Sequence, residues 1–375
     1  MSILPSFTPP PWLLSISSFT FLDKLKIGWF LISEPMWTYG KWVRAYEELW
    51  EKRFEVKHAI MVSSGSAAKE LIALRRKDEL QKAGQWPARN KVVFPVNTWI
   101  SSISVWLNFG FEPVFVDVSP DNLNVTAEGL TQVLDNDREF RIGTVFYTAL
   151  LGFFGDLETC KTVTEDHGAK FFMDNCEASF SRYWGQKDGV ERSILTLTTN
   201  STSIFFSHLT SSGTEGGLIF TQSDEEADWY RMARSHGLTR GMPDKYRNYS
   251  VSPEFDFYLL GSNYRSSNLQ AYMAMLDFER ALQFSYNHRR HLFNALNDGL
   301  DGSKYRFFCA QNQYDGEGNH ASSIPLAVPI LCRSKEQRLR LEGYLKARKV
   351  MTRPIIGGCL LAHTAFKGYG EPKDF

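Results

Sequence analysis

The chain has 375 residues, 43% of them hydrophobic and 14% aromatic, enough apolar matter for a large buried core; this excludes a disordered or fibrous protein. Lysine plus arginine equals aspartate plus glutamate at 42 each, so no bulk charge draws it to nucleic acid or an acidic membrane surface. Its five cysteines, Cys160, Cys176, Cys309, Cys332 and Cys359, are too widely spaced for a zinc or iron–sulfur cradle, and reduced thiols in the cytoplasm are the simpler reading.

Residues 1–36 are apolar and proline-rich without a clear period, and read as an arm packed on something such as a partner subunit. Between Gly40 and Phe54, apolar Trp42, Val43, Tyr46, Leu49, Trp50 and Phe54 recur at helical spacing. Short apolar runs then alternate with helical stretches. Strands are expected at 58–62, 91–95, 112–117, 142–147, 169–174 and 217–221, with helices after Ser66 and Thr98 and over 158–167. That alternation predicts an α/β fold, a mostly parallel sheet covered on both faces, with ligands bound beyond the carboxyl ends of its strands. A long helical pattern starts at Asn263 and runs to about Leu300; a strand-like stretch at 324–330 and a helix at 337–348 follow. The expected organisation is therefore an arm at 1–36, a large domain at 37–262 and a smaller, abbreviated C-terminal α/β domain at 263–375. The longest apolar runs, such as Ile27–Ile32, are far too short to span a bilayer.

Several motifs sit at the ends of these strands. Ser64, Gly65 and Ser66 follow a strand and open a helix, where free N–H groups and a partial positive charge suit a phosphate; a plain helix cap is the alternative. Asp174 ends a strand and is placed to pair with a pyridine nitrogen, or merely to cap the next turn. Trp99 is suited to stacking on a flat heteroaromatic ring, or to core packing. Ser203 lies five residues before His208, and a glycine-rich stretch follows, Ser212-Gly-Thr-Glu-Gly-Gly217. No lysine occurs between Lys187 and Lys245.

Taken in order from about Trp37 to Arg353, the motifs resemble the DegT family of pyridoxal-phosphate sugar aminotransferases and dehydratases, which share the type I aminotransferase fold. Ser63-Ser-Gly-Ser-Ala-Ala68 is similar to the family's phosphate turn, and Pro95-Val-Asn-Thr-Trp99 to its motif with a ring-stacking aromatic. Asn108 to Val118 resembles the strand that follows, and Asp174-Asn-Cys-Glu177 the segment whose first residue partners the ring nitrogen and whose fourth lies near the phenolic oxygen. Arg234-Ser-His-Gly237, Gly261-Ser-Asn-Tyr-Arg265 and Thr352-Arg-Pro354 complete the series. The resemblance implies that Asn263 and the 234–240 segment reach a neighbouring subunit in a homodimer, and that Arg353 lies near the substrate.

The family places a phosphate-binding serine five residues before the lysine that holds the cofactor covalently, so Ser203 puts His208 at the lysine position. An ungapped alignment ending at Glu215 would put Leu209 there instead. A histidine at that position resembles the dehydratase branch, which removes the C3 hydroxyl of a 4-keto sugar nucleotide with pyridoxamine phosphate. His208 would then be the base, and glutamate would regenerate the cofactor's amine. An aminotransferase using a lysine from elsewhere and a non-catalytic cofactor-binding protein are the alternatives. With no lysine expected near the site, borohydride is not expected to link cofactor to protein.

Overall fold

The computed structural model describes residues 18–299, 305–307 and 323–372. The strands are β1 (His58–Val62), β2 (Lys91–Pro95), β3 (Glu112–Val116), β4 (Ile142–Thr148), β5 (Lys170–Asp174), β6 (Arg182–Trp184), β7 (Glu191–Ser193), β8 (Asn200–Ser203), β9 (Gly217–Thr221), β10 (Tyr305–Phe307) and β11 (Ile330–Cys332). The helices are α1 (Phe21–Ser33), α2 (Lys41–Phe54), α3 (Gly65–Lys82), α4 (Ser101–Asn108), α5 (Ala127–Asp135), α6 (Leu157–Asp166), α7 (Asp224–Ala233), α8 (Asn268–Phe284), α9 (Arg290–Gly299) and α10 (Lys335–Ala347).

Seven strands form one sheet in the order β1-β9-β8-β5-β4-β2-β3. Only β9 runs against the rest, pairing antiparallel with both β1 and β8, so six carboxyl ends share one edge. This is the expected mostly parallel α/β sheet. Side chains alternate across the strands. Met61, Val93, Val145, Phe171 and Phe220 join α2, α5, α6 and α8 in one core; Ile60, Val92, Phe146, Phe172 and Ile219 join α3, α4 and α7 in the other.

Aromatic residues fill the first core. Trp50 lies 5.1 Å from Phe54, 5.3 Å from Phe220 and 5.0 Å from Phe278 by ring centroids. Phe278 belongs to α8, so the beginning of the long C-terminal helical pattern packs on the large sheet. That pattern passes through one π-helical turn at Ser285–Arg289 before α9. Of the stretch expected as a strand at 324–330, only Ile330 enters β11; Ile324 instead donates its N–H to Ser181 and fills the first core.

Besides the short strands β6, β7 and β10 and the helices α5 and α7, two further elements were not expected from the sequence. In the arm, Thr20 and Asp23 form a capping box that starts α1, whose Phe30 stacks on Tyr272 of α8 at 4.5 Å; residues 1–17 lie outside the described residues. Strand β8 reads Asn-Ser-Thr-Ser, fully buried yet without one apolar residue.

The motif arginine Arg234 is also internal. It donates to Glu47 and to the Met61 carbonyl, and to the Tyr39 hydroxyl, tying α7 to α2 and β1. The Arg234 end of the 234–240 segment is thus committed within its own chain, contrary to the expectation that it reaches a neighbour. Arg234→Met would strip the buried Glu47 carboxylate of its closer cation, leaving only the Arg44 guanidinium at 3.4 Å, and should cost up to about 3–5 kcal/mol. Urea unfolding checks this, and Glu47→Leu added to Arg234→Met should recover part of the loss.

Candidate active site

The shared edge of carboxyl ends opens into a cavity of about 340 Å³. Nine of the ten residues singled out from the sequence line it: Ser64, Gly65, Ser66, Trp99, Asp174, Glu177, Ser203, His208 and Arg353. The tenth, Asn263, is exposed and lies outside this cavity, in an isolated bridge with Ser235.

One wall is the start of α3. Ser64 caps it by accepting from the Ala67 N–H at 3.0 Å, leaving the first-turn amides facing the cavity end where Gly65 and Ser66 sit. Gly65 is required by close approach, because a Cβ there would stand 2.7 Å from the Ser203 Cβ and 3.2 Å from the Cys176 sulfur. Gly217, opening β9, passes so near that a Cβ would meet the Ser64 carbonyl oxygen at 2.4 Å. Ser203 and Ser64 are thereby drawn together although they lie 139 positions apart in the chain.

Asp174, at the end of β5, is 2% exposed. Its Oδ1 accepts from the Cys176 N–H at 3.0 Å, and its Oδ2 accepts from the Ser102 hydroxyl at 2.6 Å and from the Lys69 ammonium at 3.0 Å. Lys69, on the first turns of α3, is also only 2% exposed, and its Nζ is 3.3 Å from Ser102 Oγ. Burial penalises both charges, yet their mutual attraction wins: the Asp174 carboxyl is held below its usual range and the Lys69 amine above its own. The expectation of no lysine near the site is therefore corrected. Lys69 lines the cavity, but as a protonated, paired ammonium rather than a free amine.

His208 occupies the loop between β8 and β9. Its N–H bonds to the Phe205 carbonyl, and its Nδ1 lies 3.3 Å from the Ser203 carbonyl oxygen. Two residues on, Thr210 and the Ser211 N–H both donate to the buried Asp277 of α8, at 3.1 and 2.8 Å. Between them, Leu209 is buried in the first apolar core, so His208 and not Leu209 faces the cavity. The ring edge meets the cavity but its body is sunk in the protein, and this desolvation pushes its pKa down to about 4. The imidazole is neutral at neutral pH. With Nδ1–H donated to Ser203, the Nε2 lone pair is left to accept a proton.

Glu177 accepts from the Leu151 N–H at 2.7 Å, and its Oε1 lies 3.8 Å from the Arg353 guanidinium. Burial outweighs both and pushes its pKa up to about 7. The site thus holds a neutral base and a carboxyl that titrates near neutrality. Lys69 and Ser102 were missed from sequence; Lys69 reads as one polar residue on a helix, and nothing in its spacing shows that it faces inward.

The family model for the DegT/DnrJ/EryC1/StrS aminotransferase family matches residues 26–374. The chain belongs to that family. Among its relatives, the GDP-4-keto-6-deoxy-D-mannose 3-dehydratase of Escherichia coli O55:H7 is 24% identical over 89% of this chain and 83% of its own. The enzyme of the same name from Yersinia pseudotuberculosis is 26% identical over 70% of this chain and 65% of its own. The solved E. coli GDP-4-keto-6-deoxy-D-mannose-3-dehydratase with bound hydrated PLP superimposes with a TM-score of 0.80 at 22% identity, covering 96% of this chain and 89% of that one. The Helicobacter pylori aminotransferase PseC superimposes at 0.78 with 18% identity, covering 95% and 87%. These likenesses establish the type I aminotransferase fold of this DegT-family chain.

The residues present suit the cofactor bound by the solved family relative. The α3 terminus and the serines offer a phosphate cradle that any Cβ at Gly65 would fill. Asp174 offers an ionised acceptor, and the buried Ser101 hydroxyl on the cavity wall has no partner of its own.

The Glu177 shift has a definite sign. A carboxyl that holds its proton more tightly when folded adds stability below the unfolded value of about 4.5, and that stability is lost as pH rises through about 7. Glu177→Gln should flatten this part of the stability profile, checked by thermal unfolding between about pH 5 and about pH 8.

Proposed function

We propose that this chain is a pyridoxamine-phosphate-dependent enzyme that removes the C3 hydroxyl of a 4-keto-6-deoxy sugar nucleotide. The carrying observation is the pairing of two features. A neutral imidazole stands on the cavity wall at His208, and the lysine that lines the cavity, Lys69, is locked to Asp174. An amine held in a buried ion pair does not anchor a carbonyl group, whereas a neutral imidazole moves protons.

When bound, the cofactor supplies an amine for the C4 ketone and a ring that accepts electrons. The chain holds its phosphate with Ser64, Ser66, Ser203 and the α3 N-terminus. Trp99, 54% exposed within its own chain, would cover the ring, and Asp174 would pair with the ring nitrogen. Glu177 would lie towards the phenolic oxygen. His208 Nε2 takes a proton at the reacting carbon and returns it to the departing C3 hydroxyl. Arg353, half-exposed at the rim, binds the sugar nucleotide. Glutamate restores the amine.

Asn263 completes a phosphate site in a second copy. Exposed apolar side chains support this homodimer: Trp99 on the cavity wall with Ile100 next to it in the chain, and Phe255, Phe257, Tyr258 and Leu260 on the segment before Asn263. Free Cys160, Cys176, Cys332 and Cys359 fit the cytoplasm (Cys309 lies outside the described residues), and no helix among the described residues is long and apolar enough to cross a membrane.

Given a 4-keto-6-deoxy sugar nucleotide, pyridoxamine phosphate and glutamate, the enzyme should release a 3-deoxy product and 2-oxoglutarate. His208→Asn should slow turnover by about 10²–10⁴-fold while cofactor still binds. A stable amino sugar would establish an aminotransferase instead. Cofactor binding without turnover would leave a non-catalytic role.

A further inference from the structure

We propose that Asp277 is a positioning residue that sets the register of the loop between β8 and β9, so that His208 rather than Leu209 faces the cavity. This rests on the role given to His208 above.

Two ways of counting this loop disagree. Forward from Ser203, the cofactor-facing position falls on His208; back from Glu215, it falls on Leu209. The loop therefore carries one surplus residue, and something must fix where the surplus goes. Its ends are fixed by the sheet: Ser203 pairs with Gly217, and the Ile204 N–H donates to the Gly216 carbonyl at 3.0 Å. Its middle is held from α8, where Gln270, Met273 and Asp277 stand at spacings of three and four on one helix face. Gln270 donates to the Glu215 carbonyl at 2.7 Å. Gly213, at φ +74°, passes so close to Met273 that a Cβ would stand 2.8 Å from its Cε.

Asp277 decides the register because of where it grips. Its Oδ2 accepts from the Thr210 hydroxyl and the Ser211 N–H, immediately after Leu209. Beyond that grip the chain closes on itself. The Ser212 N–H donates to the Ile204 carbonyl and its hydroxyl to the Glu215 carbonyl, both at 2.9 Å, and the Gly213 N–H donates to the Ser211 hydroxyl at 2.8 Å. The surplus residue is thus taken up in the turn over 211–215, and no slack reaches position 208. Leu209 drops into the first core with Ala274 and Phe278 of α8, and the imidazole is left at the cavity wall. Residues 209–212 are all buried, so a slipped loop would leave polar groups without these partners. Asp277 is itself 1% exposed, and its Oδ1 has no hydrogen-bond partner among the described residues, so this carboxyl serves the loop.

The test is an NMR titration of the His208 ring in histidine-labelled protein without cofactor, its signal assigned with His208→Asn. In the wild type the ring should titrate at about 4. Asp277→Ala should release the loop and raise that pKa by about 1–2 units, towards the ordinary value of about 6.5, as the ring reaches water. Asp277→Asn keeps an acceptor oxygen and should stay with the wild type. Folded Asp277→Ala protein with an unchanged His208 titration, or Asp277→Asn protein that shifts as far as Asp277→Ala, overturns the proposal. If Asp277→Ala does not fold, hydrogen exchange of the Ser211 amide in the wild type decides: protection is expected, and exchange at the rate of an open loop overturns it. None of these readouts depends on turnover. Failure of the wild type to dehydrate a 4-keto sugar nucleotide would overturn the role given to His208 and leave the loop register standing.

Discussion

The buried ion pair between Lys69 and Asp174 is the interaction on which the rest of the site depends. Each charge alone would be expensive in this interior, and removing either partner would leave the other uncompensated at about 3–5 kcal/mol. Together they brace the first turns of α3 against the end of β5. That brace fixes the α3 amides at one end of the cavity and the carboxylate floor beside it. Ser102 from α4 bonds to both members of the pair, so three elements that meet at the sheet edge are held by one small polar cluster.

The same cluster divides the labour of the site. A lysine is present, but its proton and its position are spoken for, and in the proposed reaction the reactive role passes to a loop histidine. Asp277 of α8 pins that loop just beyond His208, and Leu209 anchors it in the apolar core. Core packing therefore orients the imidazole while desolvation keeps it neutral. The base and its environment come from the same few residues.

Much of this was legible before any coordinates. Strands such as β2 and β5 announce themselves as short apolar runs, and a mostly parallel sheet follows from their alternation with helices, although the reversed direction of β9 does not. The cavity residues were legible because strand ends and helix starts are where such sheets bind ligands. The illegible parts share a physical reason: their side chains answer to distant partners rather than to local pattern. Strand β8 is entirely polar because Thr202 bonds back to the Asn175 carbonyl and Asn200 to the Leu195 carbonyl, inside the sheet. Lys69 reads as a surface lysine until Asp174, 105 residues later, is brought beside it. Arg234 reads as an interface residue until Glu47 and Met61 claim it.

The central claim is that no amine of this chain anchors the cofactor, although a lysine lies within the cavity wall. Borohydride reduction of the protein with pyridoxal phosphate, followed by peptide mass spectrometry, tests it most directly. The account predicts an unmodified chain, with Lys69 recovered intact. A pyridoxyl adduct on Lys69 would contradict it and return the enzyme to the lysine-dependent aminotransferases.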